Sequence, residues 1–232
     1  MKFYAISDLH ISADGNKPMD VFGGRWVGYL DKIKSDWKAR VTEDDAVLIA
    51  GDLSWAMKME DAAADLKFFG DLCGKKVFIK GNHELWWNSI SRVREILPKD
   101  CYALQNDSVK FGNTVISGSR GWAVPDSPDF KEQDRKIYLR EVERFRLSLK
   151  SARANMADGD KLIVMIHFPP FTVRKEDTLF TELFEEYGVN AVIYGHLHGK
   201  FVKYERVTEK NGIKYYLTSC DQTDNKLTEI EI

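Results

Sequence analysis

The chain contains five histidines, His10, His83, His167, His196 and His198, and each lies just past a short apolar run. Phe3-Tyr4-Ala5-Ile6 precedes Asp8 and His10, and Val77-Phe78-Ile79 precedes Gly81-Asn82-His83-Glu84. Leu162-Ile163-Val164-Met165-Ile166 precedes His167, and Ala191-Val192-Ile193-Tyr194 precedes Gly195-His196-Leu197-His198. Another run, Ala46-Val47-Leu48-Ile49-Ala50, ends in Gly51-Asp52. Carboxylates, imidazoles and an amide are ligands for hard or borderline divalent ions, and no thiol stands among them. Asp8-x-His10 and His196-x-His198 each set two donors two residues apart, a spacing that an extended turn can aim to one side. So many donors exceed one four-coordinate ion and suffice for two ions sharing a carboxylate. Two ions ~3.5–4 Å apart can acidify a bridging water to a pKa of about 7 and clamp the oxygens of an in-line displacement. Phosphate ester hydrolysis is the reaction that most needs that arrangement. No Walker loop and no GxSxG elbow occurs, so nucleotide-driven transfer and serine esterase chemistry have no support.

The runs that carry these residues read as strands buried on both faces, because they are short, wholly apolar and bounded by glycine or polar residues. Open α/β sheets bind ligands at the carboxyl ends of such strands. Between the runs, apolar residues recur at helical spacing. Trp26, Tyr29, Leu30, Ile33 and Trp37 mark one helix, Met59, Ala63, Leu66 and Phe69 a second, and Ile90, Val93 and Leu97 a third stopped by Pro98. Val109–Phe111 and Thr114–Ser117 flank Gly112-Asn113 as a hairpin. Tyr138, Val142, Phe145, Leu149, Ala152 and Met156 mark a long surface helix, and a further helix is expected near Thr178–Tyr187. In the tail, Phe201–Val207, Ile213–Thr218 and Leu227–Ile232 are expected as antiparallel strands. Alternating strands and helices followed by hairpins give a layered α/β sandwich, with residues 1–232 as a single domain.

Composition sets bounds on this reading. The chain carries 34 basic and 36 acidic residues, net -2, so it has no basic field of the kind that binds long nucleic acid. Its three cysteines, Cys73, Cys101 and Cys220, form no CxxC, which argues against a disulfide framework or zinc ribbon and fits a reducing cytoplasm. No apolar stretch is long enough to cross a membrane. No cleavable leader is expected either, since Met1 leads directly into the strand bearing Asp8 and His10.

Taken together, Asp8-x-His10, Gly51-Asp52, Gly81-Asn82-His83-Glu84, His167 and Gly195-His196-x-His198 resemble the ordered signature of the calcineurin-like metallophosphoesterases. The resemblance implies a four-layer α/β/β/α sandwich, two mixed β-sheets flanked by helices, with a dinuclear site at the strand ends. It implies that Asp8, His10, Asp52 and His198 hold one divalent ion, and that Asp52, Asn82, His167 and His196 hold the other. Asp52 would bridge the two ions, and a hydroxide between them would attack phosphorus. His83 would donate a proton to the leaving oxygen or stabilise the transition state, which makes His83 and Asp52 the expected catalytic residues. Manganese is the first expectation for the metal, with iron, zinc or nickel as alternatives. The sequence departs from the family pattern at Trp55, where an acidic residue that supports the histidine commonly stands three positions after the aspartate. Glu84 and Asp61 are the candidate substitutes.

Other residues carry weaker expectations. Arg120, past a strand and before a proline-containing loop, could grip a phosphate through two parallel hydrogen bonds or form a salt bridge. Arg25 and Arg174 raise the same possibility. Glu84 reads as an acceptor behind the ligands or as the acid of a helix N-terminus. Trp55, Trp86 and Trp87 are expected to pack beneath the site, with stacking on a nucleobase as the alternative. Cys220-Asp221 reads as structural. The expected substrate is a phosphate ester, a phosphodiester first, with a phosphomonoester or phosphoprotein as the alternative. A scaffold that binds partners without catalysis is the rival from another class.

Overall fold

The computed structural model describes residues 1–232. In chain order its strands are β1 (Phe3–Ile6), β2 (Ala46–Ile49), β3 (Lys75–Ile79), β4 (Cys101–Leu104), β5 (Asp107–Phe111), β6 (Thr114–Ser119), β7 (Lys161–Ile166), β8 (Ala191–Tyr194), β9 (Val207–Lys210), β10 (Ile213–Leu217) and β11 (Thr228–Ile230). The helices are α1 (Tyr29–Arg40), α2 (Met59–Leu66), α3 (Ile90–Ile96), α4 (Arg135–Asn155) and α5 (Leu179–Glu186). One sheet has the order β11-β1-β2-β3-β4 and the other β5-β6-β7-β8-β10-β9. Both are mixed: β11 lies antiparallel on β1, and the β5–β6 and β9–β10 pairs are antiparallel among parallel neighbours.

Period-two alternation along each strand builds the layers. Ala46 and Leu48 of β2 point between the sheets, while Val47 and Ile49 point outward to the helices. Ile163 and Met165 of β7 meet them from the second sheet, and Leu162, Val164 and Ile166 turn to the opposite face. One apolar slab therefore lies between the sheets. A second packs beneath α1, α2 and α3, and a third beneath α4 and α5. Each fully buried Leu, Ile or Phe in these slabs contributes roughly 1.5–3 kcal/mol. The result is the expected four-layer α/β/β/α sandwich.

The parallel strands matter most for function. β1, β2 and β3 run parallel as neighbours in one sheet, and β7, β8 and β10 do so in the other. Their carboxyl ends meet along one edge, where Ser7 N–H donates to the Thr218 carbonyl at 2.9 Å and couples the two sheets.

Several elements differ from expectation in the tail and at the margins. Phe201–Val207 is not a strand: the chain is irregular there, Phe201 stands in solvent, and pairing begins only at Val207. The final strand leaves the tail hairpin and pairs with β1, because its apolar Ile230 fills the slab between the sheets. Trp26 precedes α1 in a separate short turn, and β4 had no counterpart among the expected strands. No helix is long and apolar enough to cross a membrane.

Candidate metal centre

The histidine-bearing turns adopt unusual backbone conformations. Asp8, His10, Asp52 and His196 all have left-handed φ, at 60°, 46°, 53° and 71°. Non-glycine residues seldom take that region, and such strain concentrates at functional sites. Backbone hydrogen bonds hold it in place: Asp8 N–H donates to the Gly51 carbonyl and His10 N–H to the Asp52 carbonyl, each at 3.0 Å. Two glycines permit the close approach. A Cβ on Gly81 would collide with Asp52 Oδ1, and one on Gly195 would collide with Asp8 Oδ2.

The turns bring Asp8, His10, Asp52 and His198 together, with one donor atom from each lying within 4.8 Å of the others. His198 Nε2 is 3.2 Å from Asp8 Oδ1 and 3.3 Å from His10 Nε2, and His10 Nε2 is 3.6 Å from Asp52 Oδ2. A second group adjoins the first. Asn82 Oδ1 is 2.8 Å from His167 Nε2 and 2.9 Å from His196 Nδ1, and His167 Nε2 is 3.4 Å from Asp52 Oδ2. Asp52 thus faces both groups.

These donors fit a cation. His167 Nδ1 lies 2.9 Å from the Ala50 carbonyl, which can only accept, so Nδ1 carries the hydrogen. In the neutral ring Nε2 then presents a lone pair toward the Asn82 oxygen and the Asp52 carboxylate. Three acceptors converge with no donor between them, and either a proton on His167 or a metal cation relieves that conflict. His198 repeats the pattern: Nδ1 lies 3.3 Å from Asp221 Oδ1, leaving Nε2 free toward Asp8 and His10. A carboxylate or carbonyl fixing the far ring nitrogen is the usual support of a metal-binding histidine.

Electrostatics agree with this geometry. Burial opposes a charge on His167, but the Asp52 carboxylate overrides it and pushes the imidazole up to about 9. Burial likewise opposes charging of His198, and Asp8 with Asp221 raises it to about 10. His10 falls to about 4 and His196 to about 3, chiefly by burial, so both present free bases. Asp8 is fully buried, yet the positive histidines around it hold it well below the usual carboxylate range. Its Oδ2 also accepts from Ser7 Oγ at 2.5 Å.

His83 stands at the mouth of this cluster. Its side chain is 42% exposed, and Nε2 lies 4.0 Å from Asp52 Oδ2. Burial lowers its pKa, with Asp52 opposing. No carboxylate substitutes for the missing acid. Trp55 instead stacks on His10 at a ring separation of 4.4 Å and meets His83 edge-on at 4.5 Å, so it packs beside this cluster and braces His83 mechanically. Trp86 and Trp87 are buried in the outer slab, as expected. Asp61 lines a separate small cleft with Lys17 and Asp65.

Of the two readings of Glu84, the structure shows the acceptor behind the proposed ligands, and no helix starts there. Glu84 is fully buried and accepts backbone N–H bonds from Gly81 at 2.6 Å, Leu53 at 2.6 Å, Asp52 at 3.0 Å and Ser54 at 3.3 Å. It staples the turn after β3 to the turn after β2, the two turns that carry Asn82 and Asp52. Burial and the Asp52 charge push its carboxyl upward, and the N–H donors pull it back.

Arg120 is not brought to the cluster. Its guanidinium pairs at 3.1 Å with buried Glu141 on α4, which also pairs with Arg144, and lies over the Trp122 ring, so it serves to neutralise a buried charge. Its carbonyl does contribute, accepting from His167 N–H at 2.9 Å. Arg174 is exposed and pairs with Glu176, and Arg25 reaches the Asp221 carbonyl. Asp221, expected to be structural, instead supports the donor cluster. It is buried, contacts His198, and accepts from Gly199 N–H at 2.8 Å. Its place after a strand of the same parallel set was visible in sequence, but its pairing with His198 was not.

A sandwich of two mixed sheets flanked by helices is a calcineurin-like phosphoesterase fold, and carboxylates and imidazoles gather at its parallel strand ends. The family model described as calcineurin-like phosphoesterase matches residues 1–200, and the chain belongs to that family. The family is metal-dependent and acts on phosphate esters. Among solved structures, the chain resembles a protein from Thermus thermophilus at 12% identity and TM-score 0.57, covering 99% of this chain and 97% of that one. It also resembles a protein of unknown function from Aquifex aeolicus at 14% identity and TM-score 0.52, covering 98% and 95%. At these identities the likeness concerns the fold. No curated protein matches the chain in sequence.

Proposed function

We propose that this protein is a phosphohydrolase that works with two divalent ions, manganese first among them with iron, zinc or nickel as alternatives, and that it cleaves phosphodiesters. Asp8, His10, Asp52 and His198 would hold one ion, and Asp52, Asn82, His167 and His196 the other. The observation that carries this reading is the position of Asp52 Oδ2, 3.6 Å from His10 Nε2 and 3.4 Å from His167 Nε2, between two sets of converging lone pairs. Bound ions of this kind supply an acidified water and positive charge against the phosphoryl oxygens.

The chain's own groups do the rest. Ala50 and Asp221 fix the histidine tautomers, and Glu84 holds the Asp52 and Asn82 turns in register. His83, partly exposed and braced by Trp55, would hand a proton to the departing oxygen, which is general acid catalysis worth roughly 10²–10⁴-fold. The near-neutral charge supports a small phosphate ester over long nucleic acid, and the free cysteines fit a single cytoplasmic domain spanning residues 1–232.

The test is hydrolysis of bis-p-nitrophenyl phosphate beside p-nitrophenyl phosphate, with manganese and after chelation. Chelator-sensitive turnover of the diester, abolished in Asp52→Asn, is expected. Turnover of the monoester alone would replace the diester assignment. Silence on both with metal bound would leave a binding scaffold.

A further inference from the structure

A cavity of about 950 Å³ opens beside the metal centre, with His196 and His198 in its wall. Three segments enclose it: the loop between β6 and α4, the stretch after β7, and the irregular stretch between β8 and β9 where a strand was expected. That volume suits a whole organic ligand and far exceeds a phosphoryl group. Val124, Phe168, Phe171 and Leu197 supply an apolar lining, and the Phe168 ring lies 4.2 Å from the His196 ring, joining this lining to the centre. Phe201 stands at the lip and is 90% exposed, an unusual position for a large aromatic side chain with no partner in the fold.

The charges around the cavity point the same way. Apart from the histidines of the metal centre, the lining carries Asp126, Asp129 and Glu176 with Arg174 and Lys203, three carboxylates to two cations. Arg174 is already paired with Glu176 at 3.8 Å, which leaves one cation, Lys203, against two aspartates in the lining. A second anionic group entering here would meet no surplus positive charge.

We infer that this cavity receives the organic group of the substrate, and that this group is aromatic or similarly flat and apolar and carries no further negative charge. The substrate class is therefore an aryl-type or comparably apolar phosphate ester, and polyphosphates and polynucleotide strands are excluded. The inference rests on the hydrolase reading for where phosphorus sits, but its test is a binding series that does not depend on turnover.

Non-hydrolysable 1-naphthylphosphonate, methylphosphonate and a sulfonated naphthylphosphonate would be titrated calorimetrically into the manganese-loaded protein. The naphthyl compound is expected to bind roughly 10-fold or more tighter than the methyl compound, the scale of apolar discrimination in a pocket. Phe201→Ala should remove most of that gain and leave methylphosphonate affinity unchanged, and sulfonation should cancel it. Equal affinity for the naphthyl and methyl compounds would overturn the inference. So would tighter binding of the sulfonated compound, or an equal effect of Phe201→Ala on both ligands. A preserved naphthyl preference in a protein that hydrolyses no ester would support the cavity assignment while defeating the hydrolase reading.

Discussion

Asp221 offers the sharpest separation between a ligand-supporting role and a merely structural one. Its Oδ1 accepts from His198 Nδ1 at 3.3 Å, and its Oδ2 accepts from Gly199 N–H at 2.8 Å and from the Gln222 amide at 2.8 Å. Asp221→Ala removes the group that fixes the His198 tautomer and leaves the ring free to present either nitrogen. Loss of such a partner typically weakens metal binding ~10–100-fold, or about 1.4–2.7 kcal/mol. Asp221→Asn should fall between the two, because its carbonyl oxygen can still accept from Nδ1 while its NH₂ faces the Gly199 donor. The buried partners left behind cost about 1–3 kcal/mol of fold stability, roughly 2–12 °C in melting temperature for a chain of this size. Calorimetric titration of manganese into the ion-free variants reads the affinity, and thermal unfolding of the same samples reads the fold. Loss of stability with manganese affinity within threefold of the parent would refute the reasoning and make Asp221 only a brace for the loop.

Other outcomes follow from the same geometry. Glu84→Gln replaces an acceptor oxygen with a donor that faces backbone N–H groups, so about 2–4 kcal/mol should be lost and melting should fall by about 5–15 °C. Scanning calorimetry reads this directly. In the ion-free protein His167 and His198 are raised from 6.5 to about 9 and about 10, so near neutral pH metal must displace their protons. Manganese affinity should therefore rise with pH up to that range, and titration in buffers of different ionisation enthalpy should show proton release. The sign for stability is opposite: these two raised groups stabilise the ion-free fold fully below pH 6.5, and that contribution fades as pH climbs through about 9–10. Trp55→Ala should lower kcat about 10-fold by freeing His83, with manganese affinity within a few-fold, as steady-state kinetics beside metal titration would show.

Much of the site was legible because its chemistry is local in sequence. An apolar strand that ends in a polar donor announces both its element and its side chain: His167 follows such a run directly, Asp8 after one serine, and Asp52, Asn82 and His196 follow a glycine. Spacing left Glu84 between two readings and Asp221 as structural, because their partners lie far off in the chain, on Leu53 and His198. Arg120 had a plausible job by position, but its side chain joins Arg144 on buried Glu141 of α4, a pairing no spacing announces. In the fold, β11 was readable as a strand but not as the neighbour of β1, since pairing depends on which slab Ile230 fills. The aromatic and β-branched residues of Phe201–Val207 suggested pairing, yet the structure uses that stretch to wall the cavity.

The most direct test of the dinuclear claim is the number of metal ions per chain at which hydrolysis appears. Ion-free protein would be titrated with manganese while bound metal is counted by elemental analysis and bis-p-nitrophenyl phosphate turnover is followed in the same samples. Two ions per chain are expected, with turnover rising as the second is taken up. Full turnover at one ion per chain, or turnover that survives complete removal of metal, would contradict the account.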